Sequence, residues 1–291
     1  MSLRTSILLG ALLAAVPPAS GPRAGAPPIL AAEDSLRVYT LPETTRVRST
    51  RVPLRELIRK AQEGERHKFD GIHTMAFNRT VKVTLEFGGR KPHTECRETT
   101  SRVYYRAPDR WREVVLQDAG YKIAADGTRE PLEEDDDGPV HIQLGDDFDD
   151  VRRLDEVPEY LERVDQYDFE IVDRHLKPGQ VLYEIAFRPR SDFELLPSGR
   201  IWLLTGGYQI VREEFEFEHL PMPGILKDVS LVTREWQEIE GHWVEKRITA
   251  RADIGIVPML GAPKRIEVAL VFDGYRFDPP LEDALFERGG R

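Results

Sequence analysis

From Pro53 onward the apolar residues recur first every three or four positions and then every two. Leu54, Leu57, Ile58 and Ala61 stand at helical spacing, with Arg55, Glu56, Arg59 and Lys60 between them. Residues 53–64 therefore read as an amphipathic helix whose charged side faces water. Pro53 suits its first turn and Gly64 its end. The period then becomes twofold: Val81, Val83, Leu85 and Phe87 alternate with Lys82, Thr84 and Glu86, as in a strand with one wet face. Residues 102–105 and 111–116 read as the next strands, parted by the turn residues Ala107, Pro108 and Asp109.

Further strands are predicted over 181–188, 201–204, 208–217, 229–236, 243–254 and 266–272, with one short helix over 156–164. Residues 117–150, with acidic runs at 133–137 and 146–150 around a short apolar strand at 140–144, read as an excursion from the main domain. Short Gly-, Pro- and Asp-containing links favour antiparallel neighbours. About nine or ten strands with so few helices predict a mainly β fold: a strongly curved antiparallel sheet, an incomplete β-barrel, with one or two covering α-helices. Residues 51–291 form a single domain in this reading, and 27–50, rich in Pro, Thr and Arg, form an extended leader.

The N-terminus changes where the chain is expected to work. Arg4, the apolar run 7–16 and a small-residue, Pro-interrupted stretch follow the order of an export signal over residues 1–26, with cleavage left open between Ala19 and Ala32. The run is about half of the ~20 apolar residues that a membrane-spanning helix needs. A cleaved protein of the periplasm without a stable membrane anchor is expected. Cys96 is the single cysteine, so the core must hold without an internal disulfide, and no cysteine is available for a lipid anchor in the signal region. A formal net charge of −10 argues against a nucleic-acid partner.

The stretch 181–217, VLYEIAFRPRSDFELLPSGRIWLLTGGYQIVREEFEF, resembles the periplasmic lipoprotein-carrier superfamily of LolA-like, LolB-like and RseB-like half-barrel proteins. Gly199, Ile201 and Trp202 fit its Gly-x-Ile-Trp strand; Tyr208, Val211 and Arg212 fit its Tyr-x-x-Val-Arg strand. The pattern extends over roughly residues 53–275. The resemblance implies an incomplete barrel covered by helices around an apolar cavity for acyl chains or similar ligands. Two features depart from the pattern. Leu204 and Thr205 replace the acid that often follows the tryptophan strand, and the 117–150 excursion is additional.

Candidate cavity residues are Trp202, Trp111, Trp236, Trp243 and Leu57. Aromatics frame an apolar hollow when a barrel is too wide for its own side chains to fill, although packing in a closed core is the commoner role of any single tryptophan. Trp202 leads, because it lies in the best-matching segment. His93 and Cys96 have the spacing of two zinc ligands but lack a second pair, and the acidic runs lack the order of a calcium loop. No metal and no cofactor are expected. The pairs Asp192/Glu194 and Glu235/Glu238 do not stand out in so acidic a chain, and no nucleophile motif is present. The expected function is non-enzymatic binding of a hydrophobic ligand such as a lipid or acyl chain. The alternative is a sensor or scaffold of the same fold that binds an envelope protein, and an unrecognised hydrolase stands third.

Overall fold

The computed structural model describes residues 52–89, 91–132, 157–191, 196–217, 226–254 and 263–287. The amphipathic segment forms helix α1 (Leu54–Arg66) and leads into β1 (Thr74–Phe87), β2 (His93–Arg106), β3 (Arg110–Ala124) and β4 (Arg129–Pro131). After α2 (Glu159–Glu162) and one 3-10 turn come β5 (Tyr167–Lys177), β6 (Gln180–Pro189), β7 (Ser198–Leu204) and β8 (Gln209–Glu216). The chain continues through β9 (Leu226–Ile239), β10 (His242–Ile254) and β11 (Arg265–Phe277) to α3 (Ala284–Glu287).

All eleven strands form one antiparallel sheet in the order β4-β3-β2-β1-β11-β10-β9-β8-β7-β6-β5. Hairpins account for every neighbour except β1 with β11. Strands β4 and β5 end the sheet without pairing to each other, so it is an open half-barrel. The expected fold class holds, with three differences. Strand β5 is additional, the segment around residue 160 yields only a four-residue helix, and residues 117–131 belong to the sheet as the end of β3 and β4. The excursion is thus shorter than expected at its start. Both acidic runs, the 140–144 strand and the export signal lie outside the described residues.

Helix α1 lies on the sheet as its pattern dictates. Leu57, Ile58 and Ala61 are buried with Tyr160, Leu161, Ile185, Phe187, Ile201 and Leu203, while Arg55 and Arg59 are exposed. Gly64 does not end the helix. A Cβ there would stand 2.6 Å from the Tyr208 carbonyl oxygen, so glycine lets α1 settle onto the β7–β8 turn. Lys60 Nζ donates to the Tyr208 hydroxyl at 3.0 Å across the same contact.

A second cluster has no helix residue among its described members. Val81, Val83 and Leu85 of β1 stand opposite Leu270, Val268 and Ile266 of β11, and all six are buried. Phe69 and Ile72 of the α1–β1 loop join this cluster. The apolar face of the sheet therefore has two arms, one under α1 and one across β10, β11 and β1.

Candidate functional site

Strand register links the two arms. Directly paired residues point to the same face, and one unbroken row of partners crosses eight strands: Val81, Leu270, Ile248, Arg234, Glu213, Ile201, Ile185 and Ile171. Three apolar residues lie on each side of an Arg–Glu pair. Since Ile185 and Ile201 pack with Leu57 of α1, the whole row lies on the helix-bearing face.

The polar centre is a network. Glu213 is 1% exposed and Arg234 Nη1 stands 3.7 Å from its Oε2. Arg234 Nη2 also donates to Glu245 Oε1 at 2.9 Å. From the end of α1, Lys68 Nζ donates to both Glu65 oxygens at 3.0 Å, with both residues buried. Trp236 lies between the cations, its ring centre 4.2 Å from Lys68 Nζ and 5.3 Å from the Arg234 guanidinium carbon. Such stacking favours a desolvated cation. α1 thus ends on charged contacts at the boundary between the apolar arms.

Burial controls ionisation in this network. It pushes the Glu213 carboxyl above its ordinary value, against the pull of Arg234, and pushes the Lys68 ammonium down, against the pull of Glu65. Burial also raises the Tyr160 hydroxyl well above its ordinary value, and Glu213 adds to the effect. With Glu213 protonated, Lys68 and Arg234 are balanced by Glu65 and Glu245. Ionisation of Glu213 adds one uncompensated buried charge.

A raised carboxyl pKa means that the native chain holds the proton more tightly than the unfolded chain. The associated stability is present below the ordinary glutamate range and is lost as pH rises through the native value. Glu213→Gln keeps the shape and a neutral group. The melting temperature of the variant relative to the wild type should therefore rise progressively from about pH 4 toward neutrality. Thermal melts at a series of pH values test this, and parallel curves would contradict it.

The five expected cavity residues divide between the two faces. Leu57, Trp236 and half-buried Trp243 belong to the cluster under α1, and half-buried Trp111 packs on the second cluster beside Tyr105, ring centres 4.6 Å apart. Trp202 differs. Its neighbours Ile201 and Leu203 occupy the inner face, whereas Trp202 lies in an outer row of partners, Asp173, Glu184, Trp202, Arg212, Glu235 and Arg247. The Arg212 guanidinium carbon is 5.2 Å from its ring centre. The expectation that Trp202 forms the inner cavity wall is corrected accordingly.

His93 and Cys96 also point to opposite faces of β2, being three apart on a strand. His93 stacks on Phe87 at 4.5 Å, and Cys96 is buried with Thr84 Oγ1 3.9 Å from its sulfur. Glu235 and Glu238 diverge by the same parity. Asp192 and Glu194 lie outside the described residues. The Arg234–Glu213 centre was missed in the sequence, although Val232, Arg234 and Trp236 share one period-two face.

No family model matches the chain, and neither does any curated protein. Among solved structures it is similar to a DUF1329 family protein from Desulfovibrio piger, at 15% identity and TM-score 0.37, over 81% of this chain and 98% of that one. It is similar to a LolA superfamily protein from Nitrosomonas europaea at 10% identity and TM-score 0.37, with the same coverage. A third similarity is to the Pseudomonas aeruginosa MucA/MucB complex, at 9% identity and TM-score 0.22, over 77% of this chain and 99% of that one.

Proposed function

We propose that this chain is a non-enzymatic binding protein that holds the acyl part of a lipid or a similarly apolar ligand against the inner face of β10, β11 and β1. The observation that carries this reading is the apolar arm itself, a cluster with no helix residue among its described members. The inner side chains of this arm are buried against apolar neighbours, and an acyl chain entering among them would meet a surface without hydrogen-bonding demands. The export pattern at residues 1–26 supports a place of work in the periplasm. No helix of the described residues is long and apolar enough to cross a membrane.

A titration with a fluorescent fatty acid tests the reading. Saturable binding is expected, with energy transfer from tryptophan reduced in Trp236→Phe and Trp111→Phe, which lie on the inner clusters, and retained in Trp202→Phe. Native mass spectrometry after gentle extraction should show bound lipid. A folded protein that takes up no acyl probe and carries no lipid would end this proposal.

A second reading, docking of an envelope protein, has one observation in its favour. Strand β5 ends the sheet and carries Val172 and Leu176, 47% and 76% exposed. Such an edge can accept a further strand. The same mass spectrum would then show a bound polypeptide in place of lipid.

A further inference from the structure

We propose that the outer face of the β5–β6 hairpin is a divalent transition-metal site, with Asp173, His175 and Glu184 as ligands and zinc as the best-fitting ion. The site is separate from the inner apolar face and does not depend on the acyl-binding reading.

Its construction starts with a β-bulge. Ile171 stands opposite Ile185, yet Asp173 stands opposite Glu184, so the bulge at Val172 places two residues of β5 against one of β6. In regular pairing Val172 would oppose Glu184 and Asp173 would turn inward. The bulge instead brings Asp173 onto the outer face with Glu184, and His175, two residues further on, follows it there.

Arg200 neutralises one of the two carboxylates, and Asp173 faces the imidazole of His175. Two carboxylates directly opposite each other on one sheet face repel. Further along the same outer row the charges are matched: Arg212 donates to Glu235 at 2.9 Å. At the Asp173–Glu184 end, Arg200 Nη1 donates to Glu184 Oε1 at 2.7 Å, while the neighbour of Asp173 Oδ2 is the imidazole of His175.

The geometry suits zinc. Ligands about 2.1 Å from a tetrahedral ion are spaced about 3.4 Å from one another. His175 Nε2 and Asp173 Oδ2 are 3.4 Å apart, and one ligand atom from each of the three residues lies within 4.8 Å of the others. Closing the third side requires the Glu184 carboxylate to move toward the other two ligands and share or give up its Arg200 contact. The Arg174 backbone N–H donates to Asp173 Oδ1 at 2.6 Å and so orients the carboxylate with Oδ2 toward His175. One imidazole and two carboxylates favour zinc over calcium or magnesium, which take oxygen ligands alone, and water would complete the coordination.

The test titrates the full chain with zinc chloride against a chelating dye and follows the His175 imidazole by NMR. One saturable ion per chain is expected, with the His175 resonances shifting as it binds. His175→Ala and Asp173→Asn should each weaken binding at least about tenfold, the loss that even an outer-shell partner causes. His67→Ala should change nothing, because His67 pairs with Asp70 in a separate exposed contact at 2.7 Å. All three substituted residues are exposed, so circular dichroism should show unchanged folding. Absence of saturable binding, or full affinity in His175→Ala, would overturn the assignment.

Discussion

Leu57→Asp should destabilise the protein by at least about 4 kcal/mol, while Arg59→Asp, two residues on and on the opposite side of the helix, should leave the midpoint nearly unchanged. Leu57 is fully buried at the centre of the cluster that joins α1 to β6, β7 and β8. Aspartate removes that apolar contact and places a carboxylate where no described partner waits. Arg59 faces water and pairs with Glu56 and Glu63 on its own helix, contacts of small net value at half-exposed positions. Denaturant titration of both variants decides the matter. Equal midpoints would mean that α1 does not lie on the sheet through Leu57. The comparison has a functional side, because α1 covers one arm and ends at the Lys68–Glu65 pair beside the other.

What the sequence made legible follows from how each signal arises. Burial on one side of a helix or strand forces a period, so α1 and the alternating core strands could be read from Leu54 to Phe87 without structural knowledge. Strand β5 could not. Its Tyr167, Phe169 and Ile171 alternate, but the bulge at Val172 breaks the period, and the remainder, Asp173 to Lys177, is exposed. A similar limit hid the polar centre. Glu213 and Arg234 lie 21 positions apart and meet only through the β8–β9 register, which no local pattern encodes.

Trp202 illustrates a different limit. Residues 201–204 are apolar throughout, so alternation could not tell which side faces α1. Register could, because Ile201 pairs with Ile185 and Glu213 while Trp202 pairs with Glu184 and Arg212. A tryptophan with a guanidinium over its ring is comfortable on an outer face, and its place in a recognisable motif says nothing about the side it occupies.

The glycine of that same motif leads to the second large effect. Gly199→Ala should cost at least about 3 kcal/mol, because an added methyl group cannot be accommodated by side-chain movement. A Cβ on Gly199 would stand 2.0 Å from the Glu214 carbonyl oxygen and 2.7 Å from the Phe215 Cα. Both are backbone atoms of the adjacent strand. Gly199 pairs with Phe187 of β6 on one side and Phe215 of β8 on the other, so relief on the β8 side requires that β7 and β8 part. Their separation would strain the Ile201–Glu213 step of the inner row, and with it the Glu213–Arg234 contact at the centre of the sheet. A purely local clash would lower stability and leave the Glu213-linked pH dependence unchanged. Coupling through the strand predicts that Gly199→Ala also flattens that dependence, since a loosened β8 admits water to the carboxyl. Melting curves of wild type and Gly199→Ala across the same pH series distinguish the two, and a stability loss below about 1 kcal/mol would show that the β7–β8 approach is slack.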